Sequence, residues 1–173
     1  MGTTTDIKGI TPIHSGLSAE QIMESSVPRA VAQYQTVIDE INEHFWNRDW
    51  SALTTCISVP NRITALDAAR LFDTHEEWLT VARAARDGFN TMGISEYHRV
   101  CRGAFFADPD ERQIVGFHET FILRGCVLAV PRFKGFMRLV QHGGRWRSEG
   151  LHTEQRETLL PTIHADQIVR ARD

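Results

Sequence analysis

A chain of 173 residues with a formal net charge of −3, 42% apolar and 24% charged residues is sized and composed for one folded domain with a substantial core. That balance excludes a disordered polyelectrolyte and gives no strong attraction for nucleic acid or an anionic membrane. No apolar run approaches the ~20 residues that cross a bilayer. Residues 1–16 lack a basic segment followed by an apolar one, and the three cysteines, Cys56, Cys101 and Cys126, form no CxxC pair. A cytoplasmic protein with reduced thiols, no cofactor and no metal site is expected.

Residues 1–25 are polar and threonine-rich and read as an N-terminal extension. The domain proper is predicted over 26–154. Ser26 is placed to cap a helix with Pro28 in its first turn. Val31, Tyr34, Ile38, Ile41 and Phe45 then follow at spacings of 3, 4, 3 and 4, one apolar face of that helix. Asp49 caps a short second helix carrying Leu53, Cys56 and Ile57, which Pro60 stops. Two short strands, 62–66 and 69–72, turn at Asp67-Ala68. Thr74 and Glu77 then form a capping box for a helix carrying Trp78, Ala82, Ala85 and Phe89, with Gly93 at its end.

From Ser95 the period changes from 3.6 to 2. Turn signals at Asp108-Pro109-Asp110, Arg124-Gly125 and His142-Gly143-Gly144 leave four strands near 96–107, 112–124, 127–141 and 145–153, an antiparallel meander. Residues 155–173 form a polar C-terminal tail whose Leu159, Leu160 and Ile163 can fold over the domain or a partner.

The junction Phe45-x-x-x-Asp49-x-x-x-Leu53, the turn Gly143-Gly144-Arg145-Trp146-Arg147 and the pair His152-x-Glu154 stand in this order and spacing. Together with the order of elements they resemble the NTF2-like / SnoaL-like superfamily over roughly residues 27 to 153. The resemblance implies an α+β cone: a curved antiparallel sheet with three helices closing its concave face. It also implies a cavity, which in some members performs cofactor-free isomerase, dehydratase or cyclase chemistry. The ketosteroid isomerase pattern is not reproduced. Ile41 stands where those enzymes carry a helix tyrosine, and Ala65, with Asp67 two residues beyond, stands where they carry the base.

Strand alternation nominates the site. On 112–124 the odd residues Val115, Phe117, Phe121 and Leu123 are apolar around Glu119, and on 127–141 Phe133, Met137 and Leu139 are odd too. Trp146, Ser148, Gly150 and His152 share one face of the last strand. The odd faces are therefore expected to line the concave side. Tyr34, Ile38, Phe117, Phe133, Met137 and Trp146 would form a ligand cavity, and Glu119 and His152 its acid/base end. Two alternatives stay open: Glu119 paired with an arginine, and His152 as a hydrogen-bonded structural residue. A bulge would reverse the faces and bring His118 inside in place of Glu119. His98 and His118 are expected outside, as are Arg99, Arg102, Arg132 and Arg138.

The function expected from this pattern is binding of a small apolar molecule by a homodimer, with no nucleic acid or membrane partner. The alternative is a cofactor-free isomerase, dehydratase or cyclase. The dimer is argued from Val100, Phe106, Ile114, Ile122 and Phe136 on the opposite parity, read as outward apolar surface.

Overall fold

The computed structural model describes residues 16–170, the last three by backbone alone. Most of the predicted extension and the last three residues of the tail lie outside the described residues. The elements run α1 (Ala19–Glu24), α2 (Pro28–Asn47), α3 (Trp50–Thr55), β1 (Ile57–Thr64), β2 (Ala69–Phe72), α4 (His75–Thr91), β3 (Glu96–Phe106), β4 (Gln113–Arg124), β5 (Val127–Leu128), β6 (Phe133–His142), β7 (Arg145–Thr153) and α5 (Ala165–Arg170).

Two helix caps translate directly. Asp49 accepts from the Ala52 amide at the start of α3. Thr74 accepts from the Glu77 amide while the Glu77 carboxylate accepts from the Thr74 amide, closing the box on α4. Ser26 does not cap α2. Val27 holds that position, and the Ser26 hydroxyl accepts from the Ala104 amide instead, tying the helix entry to β3. α1 has its own box, Ser18 with Gln21. Pro60 does not end a helix: α3 stops at Thr55 and β1 runs through Pro60, which falls within the register slip between Ile57 and Arg62, where a missing N–H is tolerated.

The sheet has the order β2-β1-β7-β6-β4-β3, with β5 paired to β4. The predicted third meander strand is split at Pro131 into β5 and β6. β1 joins β7 in parallel and the other pairs are antiparallel. α2, α3 and α4 close the concave face over a core that includes Tyr34, Ile38, Leu53, Ile114, Met137 and Leu139. α1 lies on the opposite face, where Ala19 and Ile22 pack on Val115, Phe117 and Phe136. The tail folds back, with α5 against α4 and Leu160 and Ile163 buried. No helix among the described residues is long and apolar enough to cross a membrane.

The faces correct the alternation. On β4 the concave residues are the even ones, Ile114, Gly116, His118, Thr120 and Ile122, while Val115, Phe117 and Glu119 face outward. On β6 the odd residues are concave, as expected. His118 sits opposite Gly135, and directly opposed antiparallel residues share a face. On β7 the register slips at Glu149: Ser148 opposes Leu139 and Gly150 opposes Arg138. This bulge turns Trp146 inward and His152 outward. β3 carries a second slip at Arg102, so its concave residues are Tyr97, Arg99 and Cys101 before it and Ala104 and Phe106 after it. The outward apolar surface invoked for a dimer is accordingly absent. Ile114, Ile122 and Phe106 face the core, Phe136 is buried beneath α1, and of the five only Val100 is exposed, at 37%.

Candidate functional site

A cavity of about 130 Å³, partly open to solvent, lies between the helices and the concave face. Ile41, Asn42 and Phe45 from the last turns of α2 form one wall, and Trp78, Val81, Ala82, Ala85 and Phe89 from α4 another. These positions recur at helical spacing, so two amphipathic faces meet over it. The sheet contributes Tyr97, Arg99, His118, Thr120, Ile122 and Phe133. Leu151 and Thr153 on β7 and Ile63 and Phe72 on β1 and β2 line it as well. The tail completes it with Gln155, Leu160 and Thr162.

Its charged and titratable side chains lie on β3 and β4. Arg99, 5% exposed, sits opposite Thr120. Its Nε donates to Asn42 Oδ1 at 2.7 Å, Nη2 to the Ile38 carbonyl at 3.4 Å, and Nη1 lies 3.6 Å from Met137 Sδ. No carboxylate among the described residues pairs with it. His118, 1% exposed, has Nδ1 2.8 Å from the Tyr34 hydroxyl, which is also 3.3 Å from the Gly116 carbonyl. Burial, reinforced by the Arg99 charge, pushes the imidazole well below its ordinary value, so His118 is neutral. Burial likewise raises the Tyr34 hydroxyl well above its ordinary value, with Cys101 adding to the effect and Arg99 opposing it.

Two glycines make room for this pair. A Cβ at Gly116 would stand 2.6 Å from Tyr34 Cε2, and one at Gly135 2.4 Å from His118 Nε2. Trp78 and Gln155 add buried nitrogens, Nε1 and Nε2, that have no partner. Burial pushes the Cys101 thiol up to about 11, which leaves it protonated and poorly nucleophilic.

The predicted site residues do not come together here. Of Tyr34, Ile38, Phe117, Phe133, Met137 and Trp146, Phe133 lines the cavity. Tyr34 stands behind His118. Ile38 and Met137 are packed in the core, with Trp146 against it, and Phe117 lies beneath α1. Glu119 is on the convex face, where its carboxylate accepts from Arg102 Nε at 2.7 Å and lies 3.8 Å from Arg132. His152 is on that face too, with Nδ1 2.7 Å from the Thr64 hydroxyl and its ring beside Phe136. Placing Glu119 and His152 at the polar end of the cavity is therefore corrected: β4 has its faces exchanged, and the bulge at Glu149 separates His152 from Trp146.

His118 stands where Glu119 was expected. Arg99, Trp78, Thr120 and Gln155 were not anticipated as cavity groups. A signal for Arg99 existed: Glu96, His98 and Val100 are the hydrophilic or exposed alternates of β3, which leaves Tyr97, Arg99 and Cys101 for the core side.

Glu40, His44 and Cys56 bring three ligand-type atoms within 4.8 Å of one another. The Arg145 guanidinium lies among them, donating to Glu40 at 2.6 Å and reaching Cys56 Sγ at 3.9 Å, so this is a charge network that already holds its cation. Asp67, at the turn before β2, is a tail clamp. It accepts from the Glu157 amide at 2.6 Å and the Thr158 hydroxyl at 2.9 Å. Desolvation opposes its ionisation, but these hydrogen bonds outweigh it and hold the carboxyl below its ordinary value.

No family model matches the sequence, and no curated protein matches it significantly. Solved structures do match. Aln2 from a Streptomyces species superposes with a TM-score of 0.57 at 17% identity, covering 84% of this chain and 98% of its own. An NTF2-like protein of unknown function from Shewanella oneidensis gives 0.55 at 9% identity, covering 72% and 98%. Another of unknown function, from Pseudomonas putida, gives 0.55 at 10%, covering 75% and 88%. At these identities the likeness is one of architecture, and it agrees with the mixed α+β order and the curved sheet closed by helices: the chain has the NTF2-like fold.

Proposed function

We propose that this protein binds a small, largely apolar molecule in the cavity between α2, α4 and the concave face of the sheet. The observation that carries the reading is the cavity itself: about 130 Å³, walled by Phe45, Trp78, Phe89, Ile122 and Phe133, with a compact polar group on two adjacent strands. Such concave, mostly apolar sites with few polar groups are the usual form of small-molecule sites. A dry cavity of ~150 Å³ takes a benzene-sized molecule, so the fit is to a single ring rather than a fused polycycle. The three unpaired thiols suit the reducing, cytoplasmic setting expected from the sequence.

Fluorobenzene tests this by fluorine NMR. Its signal should broaden and shift with the wild-type protein and stay unchanged with Ala85→Phe, which fills the space beside α4. Ala82→Leu serves as a second filling variant. An unchanged signal with wild type, or equal binding by a folded filled variant, overturns the reading.

The alternative of cofactor-free proton-transfer catalysis gains one support, the His118–Tyr34 pair, since a neutral imidazole is a competent base or donor. Against it, no carboxylate lines the cavity among the described residues. Of the five residues expected to form a homodimer contact Val100 alone is exposed, so a homodimer would draw on other exposed apolar residues such as Val127 and Leu128. Light scattering of the purified chain at micromolar concentration separates the two masses.

A further inference from the structure

The two buried side-chain nitrogens at the cavity that have no partner, Trp78 Nε1 and Gln155 Nε2, are both donors. Arg99 carries five N–H groups, and its modest contacts with Asn42, Ile38 and Met137 leave part of the guanidinium unused. All three of those partners are neutral. Trp78 lines the cavity with a buried indole nitrogen that can only donate and has no partner, and the Gln155 amide nitrogen is in the same condition. A buried cation without a counter-charge is costly, and so is a buried donor without an acceptor. Arg86, also deeply buried, shows how such a charge is otherwise accommodated. It lies 4.0 Å over the Trp46 ring, bonds to the Trp46 carbonyl and Asn90, and stands outside the cavity. Arg99 has partners of the same kind, its guanidinium carbon 5.6 Å from the centre of the Tyr97 ring, but it stands at the wall of a space of ligand size.

We infer that the cavity takes a small aromatic or similarly flat carboxylate or enolate-type anion, its negative oxygen held by Arg99 and its ring between the aromatic walls of α2 and α4. This rests on the proposed binding function and narrows it to a ligand class. A guanidinium suits the role because its planar N–H groups match a carboxylate edge and stay charged at every working pH. Among the described residues no acid lines the cavity, which leaves the anion without a competitor. Trp78 and Gln155 add partnerless donors at the cavity for a further oxygen of the ligand.

Benzoate and benzamide, nearly the same in shape and different in charge, form the test. Calorimetric titration of the wild-type protein near neutral pH should give benzoate at least tenfold tighter than benzamide, about 1.4 kcal/mol. Arg99→Gln should remove that preference while fluorobenzene binding persists. Independently of any variant, the guanidinium nitrogen resonances of Arg99 should move on adding benzoate and stay in place with benzamide. Equal binding of the two probes, a preference that survives in folded Arg99→Gln, or an Arg99 signal indifferent to benzoate overturns the inference. If fluorobenzene binds under the same conditions, the cavity reading stands without it. If none of the three probes binds, both fall together.

Discussion

His118 owes its state to burial. The imidazole is held neutral in the folded chain, whereas in the unfolded chain it takes a proton as the pH falls below its ordinary 6.5. The unfolded state then binds more protons, so this group's contribution to stability is fully present above 6.5 and declines on acidification toward the depressed folded value. Urea unfolding at about pH 7.5 and about pH 5.5 should show His118→Gln losing less stability than wild type, by ~1.4 kcal/mol for one pH unit below the ordinary value. Equal losses would mean that the ring is protonated in the fold. Gly135 belongs to the same arrangement. Its Cβ would meet the imidazole at 2.4 Å and 2.9 Å, so Gly135→Ala should cost ~1–3 kcal/mol by overpacking. A thermal midpoint equal to wild type would show that the ring can move away. His118 was visible in the sequence only as the consequence of exchanged faces on β4. The even residues include Gly116 and Thr120, and the odd ones carry four apolar side chains, Val115, Phe117, Phe121 and Leu123.

At the scale of elements, the reason for that exchange is α1. A strand covered on one face alternates apolar and polar, but a strand covered on both does not. β4 has α2 over Ile114 and His118 and α1 over Val115 and Phe117, so its alternation carries little information about direction. α1 itself was marked by Ser18-x-x-Gln21, a capping box with glutamine at its third position, yet its six residues hold too few apolar positions to show a period. Helices α2 to α4 were legible because the apolar stripes of α2 and α4 and the caps of α3 and α4 are local. The bulges at Arg102 and Glu149 were not, since they arise from pairing with a distant strand. The weight of α1 is measurable. Ile22 is fully buried, and Ile22→Ala should destabilise by ~2–5 kcal/mol, whereas loss of the cap in Ser18→Ala should cost only ~1 kcal/mol. Equal stability of Ile22→Ala and wild type in urea would show that α1 is not part of the folded core.

The whole molecule closes its cavity with residues far apart in sequence, and the tail is the part least specified by pattern. Leu159, Leu160 and Ile163 were apolar marks in a polar stretch, with folding over the domain and contact with a partner both open. Ile163 and Leu160 are buried in the chain's own core, while Leu159 is 57% exposed. What holds them is polar. The Glu157 carboxylate accepts from the amides of Thr162, Ile163 and His164 at 2.8, 2.7 and 2.8 Å, and Asp67 accepts from residues 157 and 158. No periodicity announces such a knot, because a single acid satisfies three successive amides through the shape of the loop. Hydrogen bonds to a charged group contribute ~1.5–3 kcal/mol each, so Glu157→Ala should release the segment locally. In hydrogen exchange, residues 156–164 should then lose on the order of tenfold or more of their protection, while β4, deep in the sheet, keeps its own. Glu157→Gln, which retains an acceptor oxygen, should fall between the two. Because Leu160 and Thr162 line the cavity, the loosened variant should also bind fluorobenzene more weakly than wild type. Uniform loss of protection across the chain would mean that tail and sheet unfold as one unit, and unchanged protection would mean that burial of Leu160 and Ile163 holds the wall without the carboxylate.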